Sequence, residues 1–80
     1  MRIDKFLKVS RIIKRRTIAK EACDTERVLV NDKIVKAGYE VEIGDIITVR
    51  FGQNDLNVRV AQIKDSTKKE DATDMFEVIE

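Results

Sequence analysis

Lys14-Arg15-Arg16-Thr17-Ile18-Ala19-Lys20-Glu21-Ala22-Cys23-Asp24-Thr25-Glu26-Arg27-Val28-Leu29-Val30 is the stretch in which the chain changes period. Thr17 reads as an N-cap, and Ile18, Ala19, Ala22 and Cys23 recur at the spacing of one buried helix face. Val28-Leu29-Val30 then switches to β-branched strand chemistry, and Asn31-Asp32 supplies a tight turn before Lys33-Ile34-Val35. A short helix running straight into a hairpin sets the architecture expected of the whole chain.

Lys14, Arg15 and Arg16 stand immediately before that helix. A helix N-terminus carries roughly half a positive charge, so each cation there forgoes about 0.3 to 1 kcal/mol of dipole stabilisation. Free amide N–H groups, a positive helix end and guanidinium groups do belong together as a site for phosphate. Local physics thus points to a polyanion.

Upstream, Asp4 reads as the cap of a first helix with Ile3, Phe6 and Leu7 on its buried side and Lys5, Lys8 and Arg11 towards solvent. Ile12 and Ile13 pin the connection between the helices to the core. Downstream, Val41 and Ile43 lead into the turn Gly44-Asp45, and residues 46–51 follow as a strand with Ile47, Val49 and Phe51 on one face. A loop at 52–55 precedes a further strand over 56–63, where Leu56, Val58 and Val60 alternate with Asn57 and Arg59. Near the end, Thr67-Lys68-Lys69-Glu70 has the form of a capping box, and Ala72, Met75, Phe76 and Ile79 continue at helical spacing. A strand over 75–79 is the alternative. The expected fold class is α+β: two N-terminal helices packed on a small, mostly antiparallel sheet, with a short C-terminal helix. Residues 1–64 form the domain and 65–80 a tail.

Eighty residues suffice for one small core. There is no apolar run of about 18 residues and no basic-then-apolar leader, so no membrane is expected and the cytoplasm is the expected compartment. The absence of histidine removes the commonest general base and metal ligand. Cys23 sits on the apolar stripe, where a packed thiol is the simpler reading than a reactive one. Gly38, Gly44 and Gly52 lie at turns and make no phosphate loop. The expectation is therefore a binding protein and not an enzyme, with no cofactor and no metal.

Net charge is +1, but its distribution is lopsided. Residues 1–36 hold eleven basic side chains against five acidic ones, and 37–80 hold five against ten. A basic face for a polyanion and an acidic remainder fit that division. Surface lysines are common in any protein, so Lys5 and Lys8 singly decide little. Arg15 and Arg16 weigh more, because their placement costs local stability. RNA is favoured over DNA on two grounds. The outer side of the second helix mixes Glu21 and Asp24 with Lys20, which suits a major groove poorly. The spacing of Phe6, Tyr39, Phe51 and Phe76 places at least three aromatics in the core, leaving no stacking platform. Recognition of a folded RNA backbone by shape and charge remains.

Arg2-Ile3-Asp4-Lys5-Phe6-Leu7, Arg15-Arg16-Thr17-Ile18-Ala19-Lys20, Val28-Leu29-Val30-Asn31 and Gly44-Asp45-Ile46-Ile47, in that order, resemble the S-four RNA-binding domain. The resemblance covers residues 1 to about 50 and implies two helices on a small sheet with a concave RNA-binding face. The residues it implies as contacts, joined with the cations singled out above, are Arg2, Lys5, Lys8, Arg11, Lys14, Arg15, Arg16, Lys20, Asn31 and Lys33. Two positions depart from the family pattern. Glu26 stands where a glycine usually ends the second helix, at a cost of about 1 kcal/mol if the left-handed conformation is kept. Asn31-Asp32 replaces the usual Asn-Gly turn.

Among such proteins the chain is similar to short free-standing factors of ribosome-associated quality control and, beyond them, to the fifteen-kilodalton heat-shock proteins. That likeness implies a monomer binding large ribosomal subunit rRNA and peptidyl-tRNA. Its task would be to steady the tRNA during C-terminal tailing of stalled nascent chains, with a nascent-chain tailing factor as a further partner. The competing expectation is a protein adaptor that works through the acidic C-terminal half and uses RNA as a tether.

Overall fold

A computed structural model describes residues 1–64 and 72–79. Helix α1 spans Ile3–Val9 and α2 spans Arg16–Asp24. Strands follow at β1 Val28–Val30, β2 Lys33–Ile34, β3 Ile46–Phe51 and β4 Asn54–Val60. A 3-10 turn at Ala72–Met75 leads into β5, Phe76–Val78. The five strands form one antiparallel sheet in the order β2-β1-β3-β4-β5, so the two helices pack on a small sheet as the sequence implies.

Alternation dictates which side of that sheet is covered. Val28, Val30, Ile47, Val49, Val58 and Val60 share the buried face, and Ile3, Phe6 and Leu7 of α1 with Ala19 and Cys23 of α2 close over it. Each large apolar side chain fully buried there contributes roughly 1.5 to 3 kcal/mol. Thr48, Asn57 and Arg59 alternate onto the opposite face, where the Thr48 hydroxyl lies 2.7 Å from Asn57 Oδ1.

The C-terminal helix expected from the sequence is corrected in part. Its capping box, Thr67 to Glu70, lies outside the described residues. Within them, one 3-10 turn replaces the helix and the strand alternative takes over: Phe76, Glu77 and Val78 pair with Val60, Arg59 and Val58. Met75 is fully buried in the common core. The reason is competition for backbone partners, since a helix this short is marginal in water whereas the open edge of β4 offers ready-made donors and acceptors.

Both helix starts also differ from expectation. Arg15 occupies the N-cap of α2 and makes no side-chain cap bond, while Thr17 lies inside the first turn. Arg2 occupies the N-cap of α1, and Asp4 is already helical. At the other end of α2 the left-handed conformation is kept, with Glu26 at φ 63°. The Glu26 N–H donates to the Cys23 carbonyl at 3.1 Å and Arg27 N–H to Ala22 at 2.9 Å, the paired closure of a Schellman motif. Arg11 adopts the same conformation just after α1, which nothing in its side chain announces.

Asn31 and Asp32 both have positive φ and close the β1–β2 hairpin as a two-residue turn. The long connection between β2 and β3 is tied back to the N-terminus. Ile3 N–H donates to Tyr39 at 2.7 Å, Val41 N–H donates to Met1 at 3.0 Å, and Arg2 bridges to Glu40.

Candidate nucleic-acid interface

Asp4 organises the cations. Its side chain is only 4 % exposed, yet Arg2 Nε lies 3.3 Å from Oδ1 and Arg16 Nε lies 3.4 Å from Oδ2. Oδ1 also accepts the Lys5 N–H at 2.8 Å. A buried carboxylate is tolerable only when paired, and here two guanidinium groups from different elements share it. Both arginine side chains remain about half exposed. The bond to Arg16 uses Nε and leaves the two terminal nitrogens of its fork for another acceptor. Two arginines thus stand side by side at the entrance of α2, both held against one carboxylate.

The first turn of α2 contains no acidic residue and its N-cap offers no side-chain oxygen, so the helix supplies no acid of its own against its positive end. Lys20 lies one turn further along the same helix, four residues after Arg16, and is exposed. Lys14 and Arg15 are exposed in the connection between the helices, and Lys8 is exposed near the end of α1. Arg11 is exposed at its left-handed position, while Lys5 is half-buried.

The hairpin residues sit differently. Lys33 is exposed at the start of β2. The Asn31 amide is engaged inside the fold: Nδ2 donates to Asp45 Oδ1 at 3.2 Å and Oδ1 accepts the Ile46 N–H at 3.0 Å. Asp45 Oδ2 accepts the Glu42 N–H at 2.9 Å and the Tyr39 hydroxyl at 3.4 Å. Partial burial, and then the charge of Asp45, push the Tyr39 phenol above its ordinary pKa.

Sequence reasoning missed three things here. Asp4 reads as a helix cap, and its role as counter-ion is signalled only by being the one acid among the first seven cations. Asp45 reads as part of a turn, although its carboxylate gathers the Asn31 amide, the Glu42 N–H and the Tyr39 hydroxyl. Ile18 was expected inward and is instead 50 % exposed, where with Ile13, Lys14 and Arg15 it lines a notch of about 300 Å3. A larger hollow of about 360 Å3, lined by Thr25, Glu26, Arg27, Arg50 and Gly52, opens at the opposite end of α2. Its setting beside the negative end of the helix is poor for an anion.

Three of the four aromatics gather at the core as expected: Phe6 is fully buried in it, and Tyr39 and Phe76 are partly buried and packed against it, while Phe51 is 46 % exposed. Cys23 is packed. Burial first, then the negative charges of Asp4 and Asp24, push its thiol up to about 11. Among the described residues no group of three acidic or cysteine side chains is placed to hold a metal ion, and no helix is long and apolar enough to cross a membrane.

Residues 1–47 match the family model of the S4 domain, the S-four family of the sequence reading. The chain is 53 % identical over 79 residues to the RQC P-site tRNA stabilizing factor of Bacillus subtilis, covering 99 % of this chain and 92 % of that protein. It is equally similar, at 53 %, to the protein of the same name from Streptococcus pneumoniae, over 99 % of this chain and 90 % of the other. In three dimensions it matches heat shock protein 15 of Vibrio cholerae, described as trimeric, with a TM-score of 0.92 at 28 % identity over 99 % of this chain and 81 % of that one.

Proposed function

This chain belongs to the S4 domain family, its full-length relatives are RQC P-site tRNA stabilizing factors, and from that premise we propose that it stabilises tRNA during ribosome quality control. The observation that carries the reading on this molecule is the Arg2–Asp4–Arg16 group at the start of α2, a helix with no acid in its own first turn. Two oriented guanidinium forks and a positive helix end suit the phosphates of a folded RNA.

In finer detail, the cationic face made by Arg2, Lys5, Lys8, Arg11, Lys14, Arg15, Arg16 and Lys20 lies between large-subunit rRNA and a peptidyl-tRNA. Asn31 contributes by fixing the hairpin that presents Lys33. Held in that way, the tRNA stays in place while tails are added to a stalled nascent chain, with a tailing factor working on the same subunit in the cytoplasm. The role is binding and not catalysis.

Co-sedimentation of the full chain with large subunits carrying peptidyl-tRNA tests this. Arg16→Ala should leave the subunit fraction, while Arg59→Ala, on the sheet face away from the helices, should stay with it. Equal sedimentation of the two variants would sink the proposal.

A further inference from the structure

Ile18 is the observation that the phosphate reading does not use. It lies in the first turn of α2 with half its surface in water, although full burial of such a side chain returns roughly 1.5 to 3 kcal/mol. Around it the surface is concave. Buried Ile13 forms the floor of the notch, and Lys14 and Arg15 complete its lining. Among the described residues neither cation has an ion pair, and no acid lines the notch. A pocket that is apolar inside and cationic around its edge fits a ligand with the opposite arrangement, an apolar ring flanked by anions.

We propose that the notch of Ile13, Lys14, Arg15 and Ile18 seats one unstacked nucleobase of the bound RNA, with Lys14 and Arg15 on its flanking phosphates. The inference rests on the RNA-binding reading above and deepens it. Paired bases hide their faces in the stack, so only a bulged or looped-out nucleotide presents an apolar face together with two accessible phosphates. The seat therefore selects an irregularity in an RNA helix, which backbone contacts alone do not distinguish. The net charge of the lining argues against an apolar protein segment, which would leave both cations without partners.

The test compares the full chain on a fully paired RNA duplex with the same duplex carrying a single bulged uridine. Binding to the bulged duplex should be tighter by about fivefold, close to 1 kcal/mol. Ile18→Ser should remove that margin and leave paired-duplex affinity unchanged. A photoreactive 4-thiouridine at the bulge should crosslink the wild-type chain within residues 13–18, a readout that does not depend on the variant folding. Equal affinity for the two duplexes, or a crosslink confined to other residues, overturns the seat alone. A margin that survives Ile18→Ser overturns it too and leaves the notch to a protein partner. Failure to bind either duplex at low salt sinks the RNA-binding reading itself, and the seat with it.

Discussion

Arg16 Nε lies 3.4 Å from Oδ2 of Asp4, a carboxylate that is almost wholly buried between the starts of two helices. The pair makes an unusual prediction about charge. Removing an acid from a cationic face ought to strengthen RNA binding by raising the local positive potential. If Asp4 orients Arg2 and Arg16, Asp4→Asn should weaken it instead, because both forks regain their rotamer freedom. The same change should cost about 1 to 3 kcal/mol of stability, since a buried partner of two charged groups is lost. Binding isotherms and thermal melts of the variant check both effects; tighter binding would remove Asp4 from the site.

Salt dependence separates contact from positioning. Each phosphate contact contributes a slope of about −0.7 to −0.9 in log K against log salt. Arg16→Ala should make the slope shallower by about one such unit. Asp4→Asn should lower affinity with a smaller change in slope, because it removes no cation.

The turn positions predict opposite outcomes for like substitutions. Asp32→Gly and Glu26→Gly relieve left-handed strain and should each stabilise the fold by up to about 1 kcal/mol. Asn31→Gly relieves the same strain but strips the bonds to Asp45 and Ile46, and should destabilise by about 1 to 2 kcal/mol. Chemical denaturation of the three variants gives the comparison directly.

Cys23 predicts a pH response. Its thiol is raised from 9.0 to about 11 in the folded chain, so between those values the unfolded chain loses a proton that the folded chain keeps. The neutral thiol's contribution is complete below pH 9.0 and is lost as pH rises towards about 11. Stability should fall across that window by an amount on the order of 2 kcal/mol, and Cys23→Ala should flatten the fall. Alkylation of the native thiol at neutral pH should be slow for the same reason.

The C-terminal segment is structural as well as acidic. Met75→Ala should cost about 2 to 5 kcal/mol, the range for emptying a buried methionine site. Deleting residues 67–80 therefore would not isolate an adaptor surface, because it uncovers β4 and the core together. Charge reversal at Glu77, which is exposed and 3.5 Å from Arg59, is the cleaner probe of a protein partner. Loss of subunit binding in a folded Glu77→Lys variant would revive the adaptor reading.

Where local chemistry and tertiary packing agree, the sequence is legible. The stripe Ala19, Cys23 and the alternations of β1, β3 and β4 appear in the fold at the expected faces, and the hairpin closes at Asn31-Asp32. Legibility fails where a residue satisfies a partner distant in the chain. Asp4 looks like a cap because capping chemistry is local, whereas its bond to Arg16 depends on how two helices pack. Asp45 looks like a turn residue until Asn31, fourteen positions earlier, is beside it. Ile18 obeys helical spacing and still faces out, because periodicity fixes a face but not its edge. Residues 72–79 satisfy a helical pattern equally well, and only the unpaired edge of β4 decides for a strand.

That late strand also governs the order of events at birth. The sheet and the core are completed by residues 72–78, which are made after all the other elements and must clear the exit tunnel before they can pair with β4. Until then the nascent protein exposes an open strand edge and a gap at Met75, a state prone to wrong pairings. Folding of this domain therefore waits on the emergence of residues 72–78, and a ribosome that halts short of residue 72 would hold it unfinished.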